Sequence, residues 1–208
     1  QNAAIKFLGL NLVYFAIPCK NDDFQIVIDG LKKINCKGLN ITIPFKEKAF
    51  NLCEEISPIA KKVKAINTLK INHNETWSGT NTDVDGFKYP IKDINLSGKK
   101  SIILGSGGAA RSAVQGLIDL QLSDIHVISR NESNLKKFLK DFKNFKSVRG
   151  CQADNRKTDD LINDSDLIIN TTPIGMKNFN SNEEELPFGK NFWRSLNSKT
   201  IVYDLIYN

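Results

Sequence analysis

Few side chains in this 208-residue chain are suited to a metal site or a disulfide framework: there are four cysteines, two histidines and one methionine. Cys19, Cys36, Cys53 and Cys151 form no CxxC pair, and His73 and His126 lie far from each other and from any cysteine. That spacing argues against zinc or any other metal, and a chain of this size and type needs no disulfides, so a reducing cytoplasm is the expected setting. No apolar run approaches the ~20 residues of a membrane span. The opening QNAAIKFLGLNLVYFAIP has no cationic start leading into an unbroken apolar core, so it does not read as a secretory signal. Internal repeats of solenoid period are missing as well. The net charge is +6, but the lysines spread along the whole chain and nowhere interleave with aromatics. Nucleic acid is therefore not the expected partner, and a small anionic molecule suits the charge equally well.

What is present is an alternation of short apolar runs with helical stretches. The composition, 40% hydrophobic and 25% charged, allows one large domain or two small ones. Residues 12–18 (LVYFAIP) read as a strand, 22–36 as a helix with an acidic start, 37–43 as a strand, and 45–53 as a helix. AINTLKI and ETWSGTN read as paired strands around a turn at Asn72 to Asn74, and 82–94 as a helix bent or ended near Pro90. After the Ser97–Gly98 turn the tempo is more regular: SIILG, DIHVISR, DLIINTT and TIVYDLIY are strands, with helices at GAARSAVQGLIDLQ and ESNLKKFLKDFKN. Residues 183–196 read as a loop and short helix. Such alternation implies a parallel sheet covered on both faces. The expectation is an α/β protein of two domains, a smaller α/β unit over 1–97 and a Rossmann-like, doubly wound nucleotide-binding unit over 98–208.

The sharpest local signal is SIILGSGGAARSAV, where Gly105, Gly107 and Ala110 occupy the places of a G-x-G-x-x-A loop between strand and helix. The first glycine allows the tight turn and the second lets backbone approach a pyrophosphate. The small third residue lets helix and strand pack closely. Free amides at the helix start hold the phosphates. NAD sites place an acid at the tip of the following strand, about 20 residues on. Here that strand ends in Ser129, Arg130 and Asn131. A guanidinium suits a 2′-phosphate, so NADP(H) is the expected cofactor.

Lys46 follows Pro44 at a strand end, where loops present chemistry. Asn67 and Asp83 are polar residues of AINTL and GTNTDVDGF. Each is ordinary alone, as a surface lysine, a strand-end amide and a first-turn acid. Together, NITIPFK, AINTL, GTNTDVDGF, GSGGAARSA, SRN, INTTPIGM and YDLIY occur in the order and approximate spacing of the shikimate dehydrogenase family, which the chain resembles over nearly its whole length. The resemblance implies NADPH-dependent reduction of 3-dehydroshikimate to shikimate, in the pathway through chorismate to aromatic amino acids. It makes Lys46 the catalytic lysine of N-x-T-x-P-x-K and Asp83 its partner in N-T-D. It gives Asn40, Thr42, Asn67 and Tyr207 to the substrate. Gly105, Ser106, Gly107, Gly108 and Ala109 fall to the pyrophosphate, and Ser129, Arg130 and Asn131 to the adenosine ribose phosphate. The turn from Thr171 and Thr172 to Met176 lies on the nicotinamide side.

The family pattern also has an opening strand with S-x-S-P-x-x-H-N and a helical tail beyond D-x-x-Y. Neither falls within these residues; Gln1 stands where the histidine is usual, and the substrate half is expected to lack its first strand. Two other functions fit the same pattern: a quinate/shikimate dehydrogenase using NAD, and a non-catalytic nucleotide-binding homologue. A small-molecule substrate is expected, with no nucleic acid or membrane partner, in a monomer or homodimer.

Overall fold

The computed structural model describes residues 1–153, 157–176, 186–194 and 196–206. Two compact units emerge, residues 1–36 and residues 37–208. The first contains α1 (Asn2–Phe7) and α2 (Phe24–Lys33). In α2 the buried residues are Phe24, Ile28 and Leu31, spaced four and three apart as one helical face requires. Residues 12–18 form no strand, contrary to the reading of LVYFAIP. A strand needs a neighbour to take its backbone hydrogen bonds, and here Asn2 supplies a substitute. The Tyr14 N–H donates to Asn2 Oδ1 at 2.8 Å, and Asn2 Nδ2 donates to the Tyr14 carbonyl at 2.7 Å.

The second unit opens with β1 (Gly38–Asn40), α3 (Lys46–Phe50), β2 (Glu55–Ile56), α4 (Pro58–Val63), β3 (Thr68–Ile71), β4 (Trp77–Thr80) and α5 (Asp83–Lys88). Ser57 caps α4 by accepting from the Ala60 N–H at 3.3 Å, with Pro58 in the first turn, where its missing N–H costs nothing. Pro90 does end a helix as expected, since α5 stops at Lys88 and passes into a 3-10 turn over Tyr89–Ile91. The four strands order β1-β3-β4-β2, antiparallel except for the parallel β2–β4 pair.

Then follow β5 (Lys100–Leu104), α6 (Gly108–Asp119), β6 (Asp124–Ser129), α7 (Glu132–Asp141), β7 (Val148–Gln152), α8 (Lys157–Asn163), β8 (Leu167–Asn170), α9 (Gly189–Arg194) and β9 (Ile201–Asp204). All four pairings in the order β7-β6-β5-β8-β9 are parallel. Alternate strand residues face opposite ways, and the core divides accordingly. Ile103, Ile125, Val127, Leu167 and Ile169 pack with Ala113, Val114 and Leu117 of α6 and with Leu135 and Phe138 of α7. Ile102, Leu104, Ile128 and Ile168 pack with Ile162 of α8 and Phe192 of α9. This is the doubly wound, Rossmann-like arrangement, with the strand carboxyl ends carrying the GSGG, SRN and NTTP segments to one edge.

Candidate active site

Gly105 follows β5 with φ of +107°, a backbone region that suits glycine. A β-carbon there would lie 2.8 Å from Thr171 Oγ1. That hydroxyl, in turn, donates to the Leu104 carbonyl at 2.6 Å and locks the turn. Gly107 precedes α6 without any side-chain cap, and a β-carbon on it would meet open space. The first-turn amides of α6 are thus left for a ligand, with the helix dipole favouring an anion. The residues present fit a dinucleotide.

The surrounding cleft holds about 360 Å³ and is lined by Gly105, Ser106, Gly107, Gly108 and Ala109, by Ser129, Arg130, Asn131 and Asn134, and by Thr171, Thr172 and Pro173. Lys46 and Glu47 line it from α3, next to Ile43 and Pro44, whose shared peptide is cis. Ser106 and Ser129 hydroxyls meet at 3.0 Å, and Asn131 Oδ1 caps α7 by accepting from the Asn134 N–H at 2.9 Å. Arg130 is exposed and carries no hydrogen bond or ion pair among the described residues, leaving its guanidinium available. On the other side, Asn170 receives both the N–H and the hydroxyl of Thr172, and its amide donates to Asp204 at 3.0 Å. Met176 is half-buried and lies outside the cleft lining.

Lys46 begins α3, and its backbone carbonyl accepts from the Ile66 N–H at 2.8 Å, which ties it to the segment carrying Asn67. Its ammonium donates to Asp83 Oδ2 at 2.8 Å. Asn67 Nδ2 donates to the other oxygen, Asp83 Oδ1, at 2.7 Å and to Thr82 Oγ1 at 2.9 Å. Lys46, Asn67 and Asp83, which are distant in sequence, thus form one chain of hydrogen bonds. An ammonium has three N–H groups and one faces Asp83, so further donors remain for an oxygen in the cleft. Asn40 and Thr42 are exposed and stand apart from this chain; Asn40 pairs across the sheet with Thr68, one residue from Asn67. Tyr207 lies outside the described residues, as do residues 183–185 and 195 of the loop-and-helix reading.

Several residues that shape the site carry little local sequence signal. Asn81 is buried, and its Oδ1 accepts the Asp83 N–H at 3.0 Å and the Val84 N–H at 3.3 Å, capping α5 from inside. Glu47, Arg111 and Asp141 form a chain of ion pairs behind the lysine. A charged residue within the small-residue stretch GAARSA was the available clue to Arg111.

Known proteins resemble this chain in both sequence and fold. The family model for the shikimate dehydrogenase substrate binding domain matches residues 1–69. A protein of Prochlorococcus marinus subsp. pastoris, named shikimate dehydrogenase (NADP(+)), is 62% identical over all 208 residues, which span 73% of its length. Among solved structures, shikimate dehydrogenase 1 from Peptoclostridium difficile superposes with a TM-score of 0.84 at 27% identity, covering 100% of this chain and 71% of that one. A shikimate dehydrogenase in complex with NADP+ gives 0.80 at 33% identity, covering 100% and 70%.

Proposed function

The chain belongs to the shikimate dehydrogenase family, and on that footing we propose that it interconverts 3-dehydroshikimate and shikimate with NADP(H). It is an oxidoreductase of aromatic amino acid biosynthesis, acting on a small-molecule substrate. We take residues 1–97 as the substrate half and 98–208 as the cofactor half, in a cytoplasmic protein that is a monomer or homodimer. Among the described residues no helix is long and apolar enough to cross a membrane.

The observation that carries the mechanism is the 2.8 Å contact of Lys46 with Asp83 on the wall of the nucleotide cleft. When bound, the nicotinamide supplies or accepts the hydride. The chain's own task is the proton. Reduction of a ring carbonyl leaves negative charge on its oxygen, and the Lys46 ammonium, with N–H groups to spare, stabilises and protonates that oxygen. Such acid–base assistance contributes about 10²–10⁴-fold. Asp83 holds the ammonium in place, and Asn67 holds Asp83. In the reverse direction neutral Lys46 takes the proton from the substrate hydroxyl. Asn40, Thr42, Asn67 and Tyr207 are the proposed hydrogen-bonding partners of the ring substituents. The loop from Gly105 to Ala109 takes the pyrophosphate and Arg130 the 2′-phosphate, flanked by Ser129 and Asn131. Thr171, Thr172 and Met176 border the nicotinamide end.

The test is Lys46→Ala, assayed by NADPH absorbance with shikimate and NADP and, separately, by NADPH binding through its fluorescence. Turnover is expected to fall by at least about 100-fold while binding stays within roughly threefold. Equal loss of both would show that Lys46 serves the cofactor site rather than the chemistry.

A further inference from the structure

Arg111 is 2% exposed, a buried guanidinium among the small residues that open α6. Three elements converge on it. Its Nη2 donates to Glu47 Oε2 of α3 at 3.4 Å, and its Nη1 donates to the Val63 carbonyl of α4 at 3.4 Å and pairs with Asp141 Oδ2 of α7 at 2.9 Å. The guanidinium also lies over the Phe138 ring, 5.2 Å from its centroid. Only its Nε lacks a partner. A buried charge of this kind is a poor way to gain stability, because packed apolar side chains of the same volume do as well or better. What a guanidinium adds is direction, through donors fixed in a plane.

The next residue repeats the pattern. Ser112 is buried, and its hydroxyl donates to Asn81 Oδ1 at 3.3 Å. That same oxygen accepts the N–H of Asp83, while Asn81 Nδ2 donates to the Ala65 carbonyl at 3.0 Å. Consecutive residues of α6 therefore reach the two halves of the proton-handling pair. Arg111 does so through Glu47, the neighbour of Lys46, and Ser112 through Asn81, which holds the Asp83 backbone. The opening of α6 also lies directly beside Lys46, since a β-carbon on Gly108 would come within 3.2 Å of two of its side-chain carbons.

We propose that Arg111 and Ser112 are positioning residues for Lys46 and Asp83, so that the helix whose amino end takes the cofactor phosphates also sets the place of the proton donor. This rests on the reading of Lys46 as the acid–base group. Misplacement of a reacting group by about 1 Å can cost on the order of 100-fold in rate.

The experiment compares Ser112→Ala, Glu47→Ala, Glu47→Gln and the Ser112→Ala/Glu47→Ala double variant with the parent protein. Each is measured for kcat, for KM of shikimate, for NADPH affinity by fluorescence and for Tm. Ser112→Ala removes one hydroxyl and keeps helix propensity, so the fold survives. The proposal expects kcat to fall about tenfold in Ser112→Ala and in Glu47→Ala, with NADPH affinity within about twofold of the parent. Glu47→Gln, which can still accept from Arg111, should recover most of the rate. The double variant should lose less than the product of the two single losses, because both act on one ion pair. Parental kcat with a lowered Tm would reduce both residues to structural roles and overturn the proposal. A loss of kcat matched by loss of NADPH affinity would overturn it too, making Glu47 a cofactor contact. An inactive parent protein that still binds NADPH would instead sink the acid–base reading itself, and the proposal with it.

Discussion

Replacing Gly108 by alanine should separate stability from turnover. Gly108 opens α6 with an ordinary φ, so alanine adopts its backbone without strain, and the less flexible unfolded chain favours folding by about 0.4–1 kcal/mol. The new methyl, however, would sit 3.1 Å from Lys46 Cβ and 3.2 Å from its Cδ. Those separations lie inside normal carbon–carbon contact at ~3.5–4.0 Å, so something must yield by a few tenths of an ångström. The lysine backbone is held by the bond from Ile66 to its carbonyl, which leaves the side chain to move and carry its ammonium away from Asp83. A displaced proton donor costs about 10- to 100-fold in rate, equivalent to about 1.4–2.7 kcal/mol of barrier. The crowding offsets part of the entropic gain, so Tm should change by no more than about 2–4 °C in a chain of this length. In the proposed cofactor site this loop holds the pyrophosphate through backbone amides, which alanine keeps, so NADPH affinity should stay within about threefold. Initial rates, NADPH fluorescence and a thermal melt read all three. Unchanged kcat with an intact fold would refute the idea that α6 bears on Lys46.

Two further substitutions probe the cleft and the ion pairs behind it. Arg130→Gln removes an unclaimed guanidinium, and with it a charge-assisted contact worth about 1.5–3 kcal/mol; KM for NADP should rise about 10- to 100-fold and KM for NAD hardly at all, and equal changes for both would remove Arg130 from the 2′-phosphate. Asp141 concerns acid stability: burial alone would raise its carboxyl, but Lys64 and Arg111 more than offset that and hold it below the usual range. A carboxylate lowered in the folded state lends stability that is present above its unfolded value, near 3.9, and is lost as pH falls through the folded value beneath it. Asp141→Asn should therefore lower Tm at pH 7 by roughly 4–8 °C, from the loss of about 2 kcal/mol of charged hydrogen bonding. The difference from the parent should shrink once pH drops below about 4, and a gap independent of pH would show that the carboxylate's charge is irrelevant.

The five-stranded sheet was legible because its strands are short aliphatic runs, such as Ile102, Ile103 and Leu104, separated by helices with one apolar face. Where that contrast fades, elements carry no sequence signature. β7 has exposed Arg149 and Gly150 at its centre and lies at the sheet edge, so it shows no alternation of apolar and polar residues. β2 spans two residues, too few for any period. LVYFAIP has a strand's composition yet forms no strand, and Asn2 takes the Tyr14 backbone hydrogen bonds instead. The site divides in the same way. Lys46 and Asp83 were legible as members of motifs in order, and the glycine loop as a local rule. The contacts that connect them were not, because Arg111 meets Glu47 across 64 residues and Ser112 meets Asn81 across 31. Nothing local marks a polar residue whose partner comes from another layer.

The Lys46–Asp83 pair is itself a weak source of stability. Its side chains are 15% and 30% exposed, neither fully solvated nor sealed, and partly exposed ion pairs contribute on the order of 0–1 kcal/mol. Removing the lysine does not strand a buried charge, because the Asp83 carboxylate is 30% exposed and keeps its hydrogen bond from Asn67. Lys46→Ala should accordingly melt within about 2–4 °C of the parent while losing its turnover. An ion pair that adds so little to folding, yet is braced on one side by Asn67 and Asn81 and on the other by the Ile66 bond to Lys46, is organised for where it holds a proton. A Lys46→Ala protein that unfolded at ambient temperature would contradict this, and would assign the lysine to the scaffold.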